Sequence, residues 1–349
     1  MATILVAARD SVYRLTRAGA EREEDSLAPA PAPSGDAPQA TRNLREARGM
    51  RGLGPTCLAV TGDGRAWCGT ASRGVRASDD GGESWSGAGL EGVHVMALTA
   101  DPVRPGVVWA GTEPSGVRVA EDGPGSWVEL GGLMELPSSD TWSFPPRPDT
   151  HHVRWIACHP HEAGRLWVAV EAGALISSRD GGHTWVDRVP GSPYDTHELA
   201  VHPDRPDLLR VAAGDGYFES HDAGASWTSP QDGLEVGYLR SVAIDPGDAD
   251  VVVVSASSTA RTAYAAGQAD GRVFRRAGGG RWKRVTEGWP EEPSTIAPLL
   301  RAHPEGGFLA ADERGVHRSV DGGATWRRLA AFPEPVGWLR GLAVMSHRS

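Results

Sequence analysis

The chain has 349 residues, of which Gly and Pro supply about one in five, with 13 Trp and a formal net charge of −10. That share of Gly and Pro exceeds the usual ~12%, yet no Gly-X-Y period runs through it and no apolar run approaches the ~18 residues of a spanning helix, which excludes collagen and a helical membrane protein. The acidic balance offers no basic stripe for a phosphate backbone, so nucleic acid is not an expected partner.

The first element is a strand pair. Residues 3–16 read as two strands in succession, with no strand before them to complete a sheet. The N-terminus has no basic start and only a short apolar run before Arg9, so it reads as a strand rather than a signal peptide. Cys57, Cys68 and Cys158 form no CxxC pair. Together these features point to a cytoplasmic protein. The segment 18–42 carries an Ala-Pro run and the acids Glu21, Glu23, Glu24 and Asp25, and reads as a mobile surface loop.

From there one unit recurs, starting near Thr56, His94, His152, Asp195, Tyr238 and Thr295. Each unit opens with strand a, which usually closes in a His-Pro or Asp-Pro turn. Strand b, a short loop and strand c follow. An S-x-D-x-G-x-[ST]-W box then leads into strand d. The box is intact at Ser78–Trp85, Ser178–Trp185, Ser220–Trp227 and Ser319–Trp326, and decayed at Trp127 and Trp282. Its chemistry is that of a turn. Asp80, Asp180, Asp222 and Asp321 accept backbone N–H groups, Gly supplies a positive φ, and Trp85, Trp185, Trp227 and Trp326 plug the space between sheets. The box residues are expected to be structural.

The box Trp residues are spaced 42, 58, 42, 55 and 44 apart. A period of about 42 residues is the size of a four-stranded propeller blade. The two long intervals place insertions at 131–151 and 257–269. The last element, 338–345, reads as a lone strand a, which completes the strand pair at the N-terminus. The expected fold is therefore all-β: a single-domain, seven-bladed β-propeller of four-stranded antiparallel blades over residues 1–349. N- and C-terminal strands close it in one shared blade, so that no sheet edge stays open.

The four boxes resemble the Asp-box (bacterial neuraminidase, BNR) repeat of sialidases, xyloglucanases, sortilin-type receptors and photosystem II stability/assembly factors. The resemblance covers nearly the whole chain and implies a sialidase-like propeller. It implies ligand sites on the face opposite the Asp turns, where strand a starts and the b–c loops lie. Both insertions map to that rim.

Aligning the units six residues before the Pro turn places Thr56, Met96, Arg154, His197, Arg240, Pro298 and Arg340 near the channel mouth. Eight residues before it stand His94, His152, Asp195, Tyr238 and Trp338. The b–c loops add Glu113, Glu171, Asp215 and Glu313. Arg154, Arg240 and Arg340 are the expected anion clamp, since Arg recognises carboxylates and phosphates bidentately. Trp142, His151 and Tyr264 from the insertions are expected as its walls. His152 and His197, with Glu113, Glu171 or Asp215, are a candidate site for a divalent metal.

Two functions follow. One is a monomeric binding or assembly module that holds an anionic small molecule or peptide carboxylate over the channel, away from membranes. The alternative is a sialidase-like glycoside hydrolase, or a metal-dependent hydrolase or lyase, on the same face. It would use Glu113, Glu171, Asp195 and Asp215 as acids or bases and His152 and His197 as proton shuttles. The chain lacks the Arg-Ile-Pro motif of sialidases, and whether it is an enzyme stays open at this point.

Overall fold

A computed structural model describes residues 2–15, 42–290 and 295–346. The segment 18–42, expected as a loop, lies almost wholly outside the described residues. Seven sheets form, and their first strands contact one another in sequence around a closed ring. The molecule is a seven-bladed β-propeller.

Blade 1 joins the two ends of the chain. Leu339–Ser346 is its innermost strand and pairs antiparallel with Ala2–Ala8, Leu5 opposite Ala343. Val12–Leu15 and Arg45–Glu46 complete the sheet. This closure puts Ile4, Val6, Leu339 and Leu342 into one apolar cluster with blade 7. Blades 2 to 7 follow in chain order, with inner strands Pro55–Val60, His94–Ala100, Val153–Cys158, Thr196–Val201, Tyr238–Asp245 and Leu299–Ala302. In blades 4 and 5 the outermost strand shrinks to the bridges Ser177–Val186 and Glu219–Thr228. Blade 7 gains a fifth strand, because Arg42–Asn43 pairs parallel to Arg327–Ala331.

The four boxes fold into one hydrogen-bonded turn. In the first, Ser78 Oγ bonds Asp80 Oδ1 at 2.8 Å and accepts Gly82 N–H at 2.9 Å. Asp80 also accepts the Ser84 N–H at 2.9 Å. Burial works against the Asp80 carboxylate, but these donors outweigh it and hold the group at about 2. The equivalent N–H bonds in the other boxes measure 2.9, 2.8 and 3.0 Å at Asp180, Asp222 and Asp321. Gly82 and Gly323 sit at positive φ, and a Cβ there would strike Leu5 and Val253. Three of the Trp indoles bond the Gly carbonyl of their own box. Trp185 instead bonds Gly131 at the start of the first insertion.

The inner strands share a second device. In six blades the ladder between strands a and b slips by one residue, at Thr56, Met96, Arg154, His197, Arg240 and Arg340. Each is a β-bulge, which leaves one residue unpaired and re-aims its side chain. In blade 7 the corresponding residue is Pro298, just before the strand starts at Leu299. The alternation of these strands thus breaks at the channel mouth, at the position picked out by the Pro turns.

Candidate functional site at the channel mouth

The bulged residues converge. Arg154, Arg240 and Arg340 line one narrow cavity on the propeller axis together with His197, Glu198 and Arg301. Its free space is only about 30 Å³, room for a few waters and far below the size of a small-molecule pocket. Any ligand of several atoms must therefore sit above the cavity, against its rim.

The three arginines play different parts. Arg240 is 2% exposed and donates to Ala297 O of blade 7 and Leu339 O of blade 1. Its guanidinium lies 4.7 Å from the ring of Tyr264. Arg154 faces Glu171, its Nε 3.4 Å from Oε2. Burial disfavours the Arg154 cation, but the Tyr264 and Tyr238 oxygens and the Glu171 and Glu198 carboxylates outweigh it and raise its pKa. Arg340 stacks on Trp338 at 4.8 Å. Among the described residues it makes no ion pair and no hydrogen bond. Burial first, then the Arg154 and Arg240 charges, pull its pKa down to about 10.

Beside Arg154 stands a carboxylate–imidazole cluster. Glu171 Oε2 is 2.7 Å from His152 Nε2, and His152 is fully enclosed. Glu171 Oε1 and Asp195 Oδ2 each lie 3.7 Å from His197 Nε2. His197 Nδ1 bonds Leu239 O at 2.5 Å. That bond makes Nδ1 the donor, and the Tyr238 hydroxyl lies 3.3 Å from Nε2. The two acids respond in opposite directions. Burial would raise Glu171, but Arg154, His152 and His197 overcome it and hold the group at about 2. Burial raises Asp195, and Glu171 and Asp215 add to that rise.

The other candidates occupy the rim. Glu113 pairs with Arg147 at 2.8 Å and His94 at 3.3 Å, which fastens the 131–151 insertion to the blade 3 b–c loop. Phe144 packs edge-on against His152 at 4.8 Å. Trp142, expected as a ligand wall, is 5% exposed, donates to Ser138 Oγ and packs on Gly173. It belongs to the apolar core, and His151 lies edge-on to it at 5.8 Å. Asp215 is exposed and, among the described residues, its one hydrogen bond is from the Tyr194 N–H. Tyr264 ends the helix Ala260–Tyr264 of the second insertion, whose first turn is capped reciprocally by Thr259 and Thr262. It stands 6.3 Å from Tyr238 and 5.9 Å from Trp338, forming an aromatic arc beside Arg340.

The candidate metal ligands are thus rearranged. His152 and His197 both reach Glu171, but the His152 Nε2 is taken up by the carboxylate. Glu113 is committed to Arg147 and His94. Asp195, expected only as an acid or base, is the residue that joins His197 and Glu171. Sequence reasoning missed Glu198 and Arg301, a buried acid and a half-buried base paired at 2.6 Å inside the channel. Their one visible signal is that each is a charge within an apolar inner strand.

No protein-family model matches the chain, and no curated protein matches its sequence. Solved structures match it in fold. The GH74 enzyme of Niastella koreensis superposes with a TM-score of 0.68 at 15% identity, over 93% of this chain and 51% of its own. An ancestral GH74 enzyme gives 0.59 at 16% identity, over 78% of this chain and 38% of its own. YCF48 bound to D1 peptide gives 0.58 at 15% identity, over 84% of this chain and 93% of its own. The chain therefore spans about half or less of the length of the GH74 enzymes. Among the described residues no helix is long and apolar enough to cross a membrane. At these identities the likeness establishes the propeller fold, one shared by hydrolases and by a peptide-binding protein.

Proposed function

We propose that the chain is an Asp-box propeller that works as a binding module, holding the carboxylate of a small molecule or peptide at the channel mouth. One observation carries this reading. Arg340 is a mostly enclosed cation beside two others, and among the described residues no carboxylate pairs with it directly, Glu171 acting on it only at longer range. An Arg in that position gains from a carboxylate, to which it can donate two parallel N–H bonds. Trp338, Tyr264 and Tyr238, set edge-on and tilted to one another, provide an aromatic wall for whatever the carboxylate is attached to. The size of the axial cavity supports a ligand lying across the rim rather than within the channel. That YCF48 binds a peptide on the same fold is consistent with an open surface.

The test is thermal melting and calorimetry with benzoate and acetate, with benzamide as the neutral control. Benzoate should stabilise the protein and benzamide should not. Arg340→Gln should abolish the benzoate effect. Equal shifts from benzoate and benzamide, or an undiminished benzoate shift in Arg340→Gln, would reject the carboxylate site.

A hydrolase is the second reading, favoured by the close approach of the Glu171 and Asp195 carboxyl groups, which offer oxygens within 4.8 Å. Retaining glycosidases place two carboxyl groups about 5–5.5 Å apart. Turnover of aryl glycosides that disappears in both Glu171→Gln and Asp195→Asn would support it. No turnover by the intact protein would leave binding as the function.

A further inference from the structure

We propose that Glu171, Asp195 and His197 bind one divalent first-row transition metal at the channel mouth. One oxygen from each carboxylate and a ring nitrogen of His197 all lie within 4.8 Å of one another. Two donors that each sit about 2.1 Å from a metal stand about 3–3.5 Å apart. The 3.7 Å separations of His197 Nε2 from Glu171 Oε1 and Asp195 Oδ2 therefore need to close by a few tenths of an ångström, and the two carboxylates, within 4.8 Å of each other, close further as they take up the ion.

What singles out this cluster is how its other atoms are held. His197 Nδ1 is committed to Leu239 O, which fixes the ring and turns Nε2 toward the carboxylates. Glu171 Oε2 is held by His152 and faces Arg154, while among the described residues no hydrogen bond reaches Oε1. Asp195 Oδ1 accepts the Ala172 N–H at 3.1 Å, which leaves Oδ2 to face His197. Gly214 makes room for that oxygen, because a Cβ there would lie 2.0 Å from Oδ2. Metal ligands are characteristically fixed in this way, with the ring N–H on a carbonyl and the second carboxylate oxygen hydrogen-bonded. His152 is then a positioning residue for Glu171 and not a ligand.

The donor set names the class of metal. An imidazole with two carboxylates suits Zn²⁺, Mn²⁺, Fe²⁺ or Co²⁺ better than Mg²⁺ or Ca²⁺, which take oxygen donors. The two carboxylate charges balance a dication, which binds against the repulsion of Arg154 on the far side of Glu171. The Tyr238 hydroxyl, 3.3 Å from Nε2, is the group the metal displaces.

The site stands independently of the carboxylate reading, and the experiment keeps them apart. Protein freed of metal by chelation and dialysis is titrated with Co²⁺ in a carboxylate-free buffer, followed by visible absorption and calorimetry. Saturation at one equivalent, with a d–d band, is expected. Asp195→Asn keeps the side-chain shape at a partly exposed position and should weaken binding at least tenfold, with unchanged circular dichroism. Arg340→Gln should still saturate with Co²⁺ at one equivalent, because Arg340 supplies no ligand, while it loses the benzoate effect. Absence of saturable binding, or equal affinity in Asp195→Asn, overturns the proposal.

Discussion

The guanidinium of Arg240 in blade 6 donates to the carbonyl oxygen of Leu339 in blade 1, across the whole of blade 7. Its other amino group takes the carbonyl of Ala297, at the threshold of blade 7. One side chain therefore ties three blades at the point where the ring closes. Arg240→Ala should destabilise the fold by about 2–4 kcal/mol, since it strands two buried carbonyls that each had a charged donor. Chemical denaturation measures this. The benzoate affinity should survive, because Arg240 has both amino groups engaged within the protein. A variant as stable as the parent would show that the strut contributes nothing.

Arg340 is its opposite. Burial, Arg154 and Arg240 disfavour its charge, and the Tyr264 oxygen and Glu171 carboxylate offset them only in part. Replacing it with Gln removes a cation that the folded state holds at a cost. In buffer without carboxylates, Arg340→Gln should be more stable than the parent by about 1–2 kcal/mol, discounted from the full shift for its remaining solvent contact. Denaturant midpoints at neutral pH decide it. A loss of stability would mean that Arg340 acts mainly through its packing on Trp338.

The box tryptophans separate by burial, not by motif. Trp326 is 4% exposed and fills a cluster with Phe308, Val253 and Trp289. Trp185 is half-buried and reaches out to Gly131. Trp326→Ala should cost about 3–5 kcal/mol and Trp185→Ala distinctly less. Equal losses in paired unfolding curves would indicate that the indole–carbonyl bond, which both make, matters more than the cavity.

The blade count, the turn chemistry and the closing blade were legible because each depends on local spacing. A box repeats its residues in order, and a bulged position keeps its distance from the Pro turn. The convergence of Arg154, Arg240 and Arg340 on one cavity was legible for the same reason, since a sevenfold ring brings equivalent positions to one axis. What spacing did not show was which partner each side chain meets. Arg240 finds carbonyls on two other blades, and Trp142 turns into the core over Gly173. Glu198 and Arg301 sit one and three residues off the aligned position and meet across the channel. Nothing in either strand alone announces such a pairing.

The Pro turns yield a pH prediction. The ring Nδ1 of His159 accepts the N–H groups of His161 and Glu162, at 3.1 and 3.0 Å. His303 Nδ1 accepts the N–H of Glu305 at 3.1 Å. In blade 3 the same job falls to Asp101, whose Oδ1 accepts Val103 and Arg104. An imidazole does this only while Nδ1 is unprotonated. Burial lowers the pKa of both rings. Glu162 opposes that at His159 while Arg165 reinforces it, and Arg318 reinforces it at His303 against Glu305. The folded state therefore binds these protons less readily than the unfolded chain, whose His titrates at about 6.5. The stabilisation is complete above that pH and declines as the pH falls through and below it. Melting temperature should accordingly drop between about pH 7.5 and 5.5. In His159→Asp/His303→Asp, a carboxylate takes over the acceptor role as Asp101 does, and that part of the slope should flatten. A slope unchanged in the double variant would place the acid sensitivity elsewhere in the molecule.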